Sequence, residues 1–179
     1  MFRGRREERR EDRREFGPGG GATHYQMRQN LVSIGDDFWI ENDRRERVFK
    51  VDGKALRLRK TLVVQTPAGD ELFTVRERKL GLRDKIAIER QGATVAIVKK
   101  ALVGIRERYV IDLEGGGELR AKGNAVDHEY EVERDGRKIA EISKRWFRIR
   151  DAYGIEVARG ENDAFLIAVT ICIDQLAHD

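Results

Sequence analysis

The run Ala164-Phe165-Leu166-Ile167-Ala168-Val169-Thr170-Ile171-Cys172-Ile173 carries a single polar residue, Thr170. A surface helix shows one apolar stripe, whereas this run is apolar on every side, so it predicts a helix enclosed all round. Asn162 or Asp163 supplies an N-cap for the first free backbone N–H groups, and Gly160 breaks the chain just before, which places the helix at 163–177. The run is well short of the roughly 20 apolar residues that a membrane span needs, and Asp174 closes it. The helix is therefore expected inside protein, and an enclosed helix needs a container.

The preceding chain has the pattern of strands. From Tyr25 it breaks into short runs: MRQNLVSI, DDFWIEN, RVFKVDG, LVVQT, ELFTVRE, KIAIER, TVAIVKK, RYVIDL, ELRAKG, EYEVER, KIAEISK and GIEVA. Turn chemistry separates them at Pro67-Ala68-Gly69-Asp70, Gln91-Gly92, Gly115-Gly116-Gly117 and Asp135-Gly136. The count is twelve strands, and no run before Asp163 has helical periodicity.

The chain also repeats itself. Residues 86–113 align without gaps on 130–157, pairing Glu89 with Glu133, Arg90 with Arg134, Gly92 with Gly136 and Lys100 with Lys144. A half-period recurs as Leu56-Arg57-Leu58-Arg59-Lys60, Leu80-Gly81-Leu82-Arg83-Asp84, Val103-Gly104-Ile105-Arg106-Glu107 and Phe147-Arg148-Ile149-Arg150-Asp151, so the unit is a two-stranded element used several times. Superposed units share two apolar columns (Phe49 and Val51, Phe73 and Val75, Ala96 and Val98, Ala140 and Ile142) flanking a mixed one, the alternation of antiparallel strands with one face in the core. An open twisted sheet of twelve strands tends to curl or split, and closure removes its edges. The expected fold is all-β with one helix: a closed antiparallel barrel of about twelve strands around a buried C-terminal helix.

Residues 1–22 read differently. Seven arginines from Arg3 to Arg14 alternate with acidic residues, Gly17-Pro18-Gly19-Gly20-Gly21 follows, and Phe2 and Phe16 are the only large apolar side chains. Such a segment buries too little to offset its ordering entropy, so it is expected to be a disordered tail on a barrel domain spanning 23–179. The 36 basic against 32 acidic residues leave a net charge of +4, too evenly mixed for a dedicated nucleic-acid binder. A lone Cys172 inside the apolar run excludes an intrachain disulfide, and no apolar segment near the N-terminus resembles a signal peptide. A cytoplasmic monomer is the expectation.

Together these stretches (IGDDFWIEN 34–42, VFKVDGKALRLR 48–59, KLGLRDKIAIER 79–90, DHEYEVERDGRKIAEISKRWFRIRDAYGIEV 127–157 and AFLIAVTICIDQLAHD 164–179) resemble the LURP-one-related proteins of the tubby C-terminal-like superfamily, close to phospholipid scramblases. The resemblance implies the same barrel around a C-terminal helix and, by analogy with tubby domains, binding of phosphoinositides through basic residues on the wall. It implies no catalytic residues. The cysteine-rich stretch and terminal span of the scramblases are missing, which argues against lipid scrambling.

The residues themselves offer little for catalysis. His24, His128 and His178 lack metal-ligand spacing to one another or to Cys172. Asp127-His128-Glu129 is a conceivable cation triplet but occupies a turn, and Gly115-Gly116-Gly117 joins two strands without opening a helix. No enzyme activity, cofactor or metal is expected. The candidate site is basic: Arg57, Arg59 and Lys60, then Arg76, Arg78 and Lys79, Lys99 and Lys100, and Lys144 and Arg145 beside Trp146 recur at equivalent unit positions. Stacked at one rim they form a positive collar for lipid headgroups, with Trp146 as interfacial anchor. The expected function is a non-enzymatic binding module that attaches peripherally to anionic membrane lipid. The alternative is a stress- or defence-related adaptor working through protein contacts.

Overall fold

A computed structural model of the chain describes residues 15–16, 19–28, 37–53, 61–79, 84–101, 108–144 and 152–178. Twelve strands run in chain order: β1 (Thr23–Arg28), β2 (Phe38–Asn42), β3 (Arg47–Asp52), β4 (Thr61–Gln65), β5 (Glu71–Lys79), β6 (Asp84–Arg90), β7 (Ala93–Ala101), β8 (Arg108–Leu113), β9 (Glu118–Asn124), β10 (Glu129–Arg134), β11 (Arg137–Ser143) and β12 (Ala152–Val157). One helix, α1 (Asp163–His178), follows. Each strand lies antiparallel to its sequence neighbour, and β1 closes the barrel by pairing with β12 from Thr23 opposite Val157 to Arg28 opposite Ala152.

Period-two alternation sends the predicted apolar columns inward. Val51, Phe73, Val75, Ala96, Val98, Ala140 and Ile142 are all buried in the core that surrounds α1. Leu166, Ile167, Val169, Ile171 and Ile173 of the helix are each fully enclosed, which stabilises the fold by roughly 1.5–3 kcal/mol apiece. Asn162 caps the helix, its Oδ1 accepting the Phe165 N–H at 3.0 Å. The Thr170 hydroxyl is satisfied within the helix by donating to the Leu166 carbonyl at 2.9 Å.

The repeat in the sequence is a repeat of bulged hairpins. Registers slip between Ile40 and Glu41, Val64 and Gln65, Ile88 and Glu89, and Val132 and Glu133, one bulge in each of four hairpins at matching unit positions. The tight turns repeat as well: Gln91 and Gly92 have φ of 51° and 79°, and Asp135 and Gly136 have 51° and 82°. Two successive residues in the left-handed region make a type I′ turn, whose twist suits a two-residue hairpin.

Because every neighbour is antiparallel, the connections β2–β3, β4–β5, β6–β7, β8–β9 and β10–β11 gather at one end of the barrel. The helix enters there: the Tyr25 hydroxyl near the start of β1 donates to Asp163, and Phe165 meets Phe73 edge-on at 5.7 Å. It leaves at the other end, where the Tyr153 hydroxyl at the start of β12 donates to Asp174 at 2.7 Å.

Two boundaries differ from the sequence reading. The first strand is Thr23–Arg28 and so begins ahead of the expected start at Met27, because its inward residues Tyr25 and Met27 fill the core beside Tyr153 and Ile155; residues 29–34 of the expected run lie outside the described residues. His24, just ahead of the strand-like runs that begin at Tyr25 in the sequence, is thus in a strand, with Nε2 2.6 Å from the Glu156 carboxylate. Nor is all of 1–22 apart from the barrel: Phe16 is buried beneath Lys138, whose Nζ lies 4.4 Å from the ring centroid, and Glu15 accepts the Arg159 N–H at 3.0 Å.

Candidate functional site

The outer faces of β5 to β9 carry a ladder of cations. Arg78 stands opposite Lys85, and Lys85 opposite Lys99, on three adjacent strands. Two strands further on, Arg108 stands opposite Lys122. Their inward neighbours Ile86, Val98, Tyr109 and Ala121 are buried, so alternation turns these five basic residues to the outer wall. Like charges directly opposite one another cost stability, and here two such groupings sit on one side of one barrel.

Part of this charge is compensated. Arg78 reaches Glu89 at 3.3 Å and donates to the Thr94 hydroxyl at 2.8 Å. Lys99 pairs with Asp112 at 2.6 Å, and Lys122 pairs with Glu133. Lys85 and Arg108 make no ion pair among the described residues. The rung that holds Arg108 and Lys122 turns acidic on the next strands: Glu131 stands opposite Lys122, Glu141 opposite Glu131, and Glu156 opposite Glu141.

The basic residues singled out in the sequence are dispersed by this arrangement. Arg78 and Lys99 belong to the ladder, and Lys60 lies outside the described residues. Lys100 alternates to the inner face, where its Nζ lies 5.9 Å from the Tyr109 ring centroid. Lys144 follows β11, with β8, β9 and β10 between it and β7, and its N–H donates to Glu129 at 3.0 Å. Arg57, Arg59, Arg145 and Trp146 lie outside the described residues. Lys85, Arg108 and Lys122 were not singled out in the sequence, because their grouping depends on register between strands. Alternation within one strand does not encode that register.

A second cluster lies inside, at the exit end of α1. Asp174, 1% exposed, receives the Tyr153 hydroxyl on one oxygen and has His128 Nε2 2.9 Å from the other. The His128 ring is fully buried and stacks on Tyr153 at 4.2 Å. One carboxylate thus ties the helix to a strand and to the β9–β10 turn. The pair is enclosed on all sides. The triplet Asp127-His128-Glu129 diverges: Asp127 accepts from Asn124, His128 turns into the barrel, and Glu129 accepts from Ser143 at 2.9 Å. Among the described residues no group of three or more His, Cys, Asp and Glu is arranged to hold a metal.

Burial raises the Tyr130 and Tyr153 phenols well above the usual 10.0, and the Asp174 charge adds to it. Tyr25 is raised by burial and then by its bond to Asp163. Above about pH 10 the unfolded chain releases these protons while the folded barrel keeps them, so stability falls as pH rises, by about 1.4 kcal/mol per pH unit per phenol. Burial raises the Cys172 thiol above its usual 9.0 in the same way, so urea midpoints should begin to drop near that pH and fall more steeply above pH 10. Tyr130→Phe removes one of these four groups (Tyr25, Tyr130, Tyr153 and Cys172) and should reduce the slope above pH 10 by roughly a quarter. An unchanged slope would contradict the assignment.

No helix among the described residues is long and apolar enough to cross a membrane. Among solved structures, one of a protein from Arabidopsis thaliana superposes with a TM-score of 0.66 at 16% identity, over 86% of this chain and 90% of its own. It shares the fold. In sequence, the chain is 25% identical over 154 residues to the uncharacterized protein YxjI of Bacillus subtilis (strain 168), an alignment covering 86% of this chain and 93% of that protein. The family model described as LURP-one-related matches residues 23–174, from the first strand to the buried Asp174, and the chain therefore belongs to the LURP-one-related family.

Proposed function

We propose that this protein is a non-enzymatic binding module that docks peripherally on an anionic lipid surface through the outer wall of β5 to β9. The observation that carries the reading is the pair of like-charge groupings, Arg78-Lys85-Lys99 and Arg108-Lys122. Folding alone does not favour such rungs, whereas an anionic surface offsets their repulsion. Each basic residue near an anionic membrane contributes about 1 kcal/mol, an attraction that fades within a Debye length. Lys85 and Arg108 enter without breaking an ion pair among the described residues.

Vesicle flotation tests this. The chain should float with phosphatidylcholine vesicles containing phosphatidylserine, remain behind with phosphatidylcholine alone, and be released by added salt. Lys85→Gln with Arg108→Gln removes two cations and should weaken binding roughly 30-fold. Equal absence from both kinds of vesicle would discard the reading in favour of protein contacts.

A further inference from the structure

We infer that Val126 is the point at which the barrel penetrates the anionic bilayer, an inference that rests on the docking reading above. Among the described residues Val126 is the one large apolar side chain that is exposed, at 46%. It stands at the tip of the β9–β10 connection, at the end of the barrel where α1 terminates. Arg108 begins β8 at this end and Lys122 lies just before the turn on β9. An apolar tip with cations one short step behind it is the layout of an interfacial element, whose apolar part enters the acyl boundary while its charges stay among the headgroups.

The tip is held rigid from inside. Its neighbours Ala125 and His128 are both buried, and His128, with φ of 54°, is turned into the barrel against Tyr153 and Asp174. The His128 N–H donates to the Ala125 carbonyl at 3.1 Å, and Asn124 braces Asp127 by accepting its N–H at 3.1 Å and donating to its carboxylate at 2.6 Å. Presenting Val126 therefore requires no ordering on contact, which is the usual cost of inserting a loop. Asp127 is the adjacent charge that opposes an anionic surface. Its side-chain oxygen is what the turn uses, so the amide isostere keeps the turn and loses the repulsion. A free phosphate has no use for an apolar tip, so the partner is a bilayer and not a soluble anion.

The test places an environment-sensitive fluorophore at Val126→Cys. Cys172 is buried in α1, leaving the introduced thiol as the accessible one. With phosphatidylserine-containing vesicles the emission should shift to the blue and be quenched by brominated acyl chains, while inositol hexaphosphate should produce no shift. Unlabelled Val126→Asp should partition about tenfold less, and Asp127→Asn severalfold more, both melting like the parent chain. If the parent chain floats with anionic vesicles but the emission stays put and Val126→Asp binds equally well, the penetration inference falls and the docking reading stands. If the parent chain does not float, both fall.

Discussion

Val169→Asp is expected to abolish folding. Val169 sits at the middle of α1, fully enclosed, and its neighbours on the facing strands are apolar. An ionised carboxylate there has neither water nor a cation, and a protonated one has no hydrogen-bond partner. The penalty is several kcal/mol at least and rivals the whole stability of a domain, about 5–15 kcal/mol. The isolated chain should lose its strand signature in circular dichroism, become sensitive to protease throughout and be recovered mainly as aggregate. Val169→Ile, which adds one methylene, should remain folded at a cost of about 1–3 kcal/mol from overpacking. A cooperative thermal transition for Val169→Asp near that of the parent would mean that α1 is not what the barrel is built around.

Gly123→Ala should be the most costly single methyl in the strands. Gly123 has φ of 139°, and a Cβ built there would lie 2.5 Å from the Glu129 carbonyl oxygen and 2.6 Å from the Tyr130 Cα. Both obstacles are backbone of the neighbouring strand, so neither rotates away. Strain of about 1–3 kcal/mol at such a φ adds to a clash of similar size, for a total of about 2–6 kcal/mol. Urea denaturation of Gly123→Ala against Gly92→Ala separates the two contributions, since Gly92 at φ 79° has open space around its Cβ position and carries the backbone strain alone. Equal losses at the two positions would show that the close approach of β9 to β10 is not tight.

The architecture was legible in the sequence because its two signals are strong and independent. A helix apolar on all sides demands enclosure, and repeating pairs of apolar columns demand strands with one buried face. The dihedral repeat at Gln91-Gly92 and Asp135-Gly136 is also foreshadowed, since Gly92 and Gly136 already align. What sequence could not supply was register. That Lys85 lies between Arg78 and Lys99 depends on where β5, β6 and β7 begin to pair, and the bulge at Ile88 and Glu89 shifts part of that pairing by one residue. His128 was hidden for a related reason. It stands in a turn rich in polar residues, and only the long-range approach of Asp174 and Tyr153 draws it indoors. Phe16 likewise looked too isolated to bury, and it is held by Lys138 of β11, far away in the chain.

Pairing of the first strand with the twelfth, ahead of a helix that comes last, has a consequence for biosynthesis. While a ribosome still holds the segment 163–178, the emerged strands have an inner face of Ile, Val and Phe with no helix to pack upon, although β1 and β12 already have each other as partners. Such a nascent chain calls for a chaperone that shields greasy β-sheet, and closure is a late, slow event dominated by contacts distant in sequence. Arresting translation while 163–178 is still inside the ribosome should therefore leave a product far more adhesive than arresting it after a C-terminal linker long enough to bring α1 out.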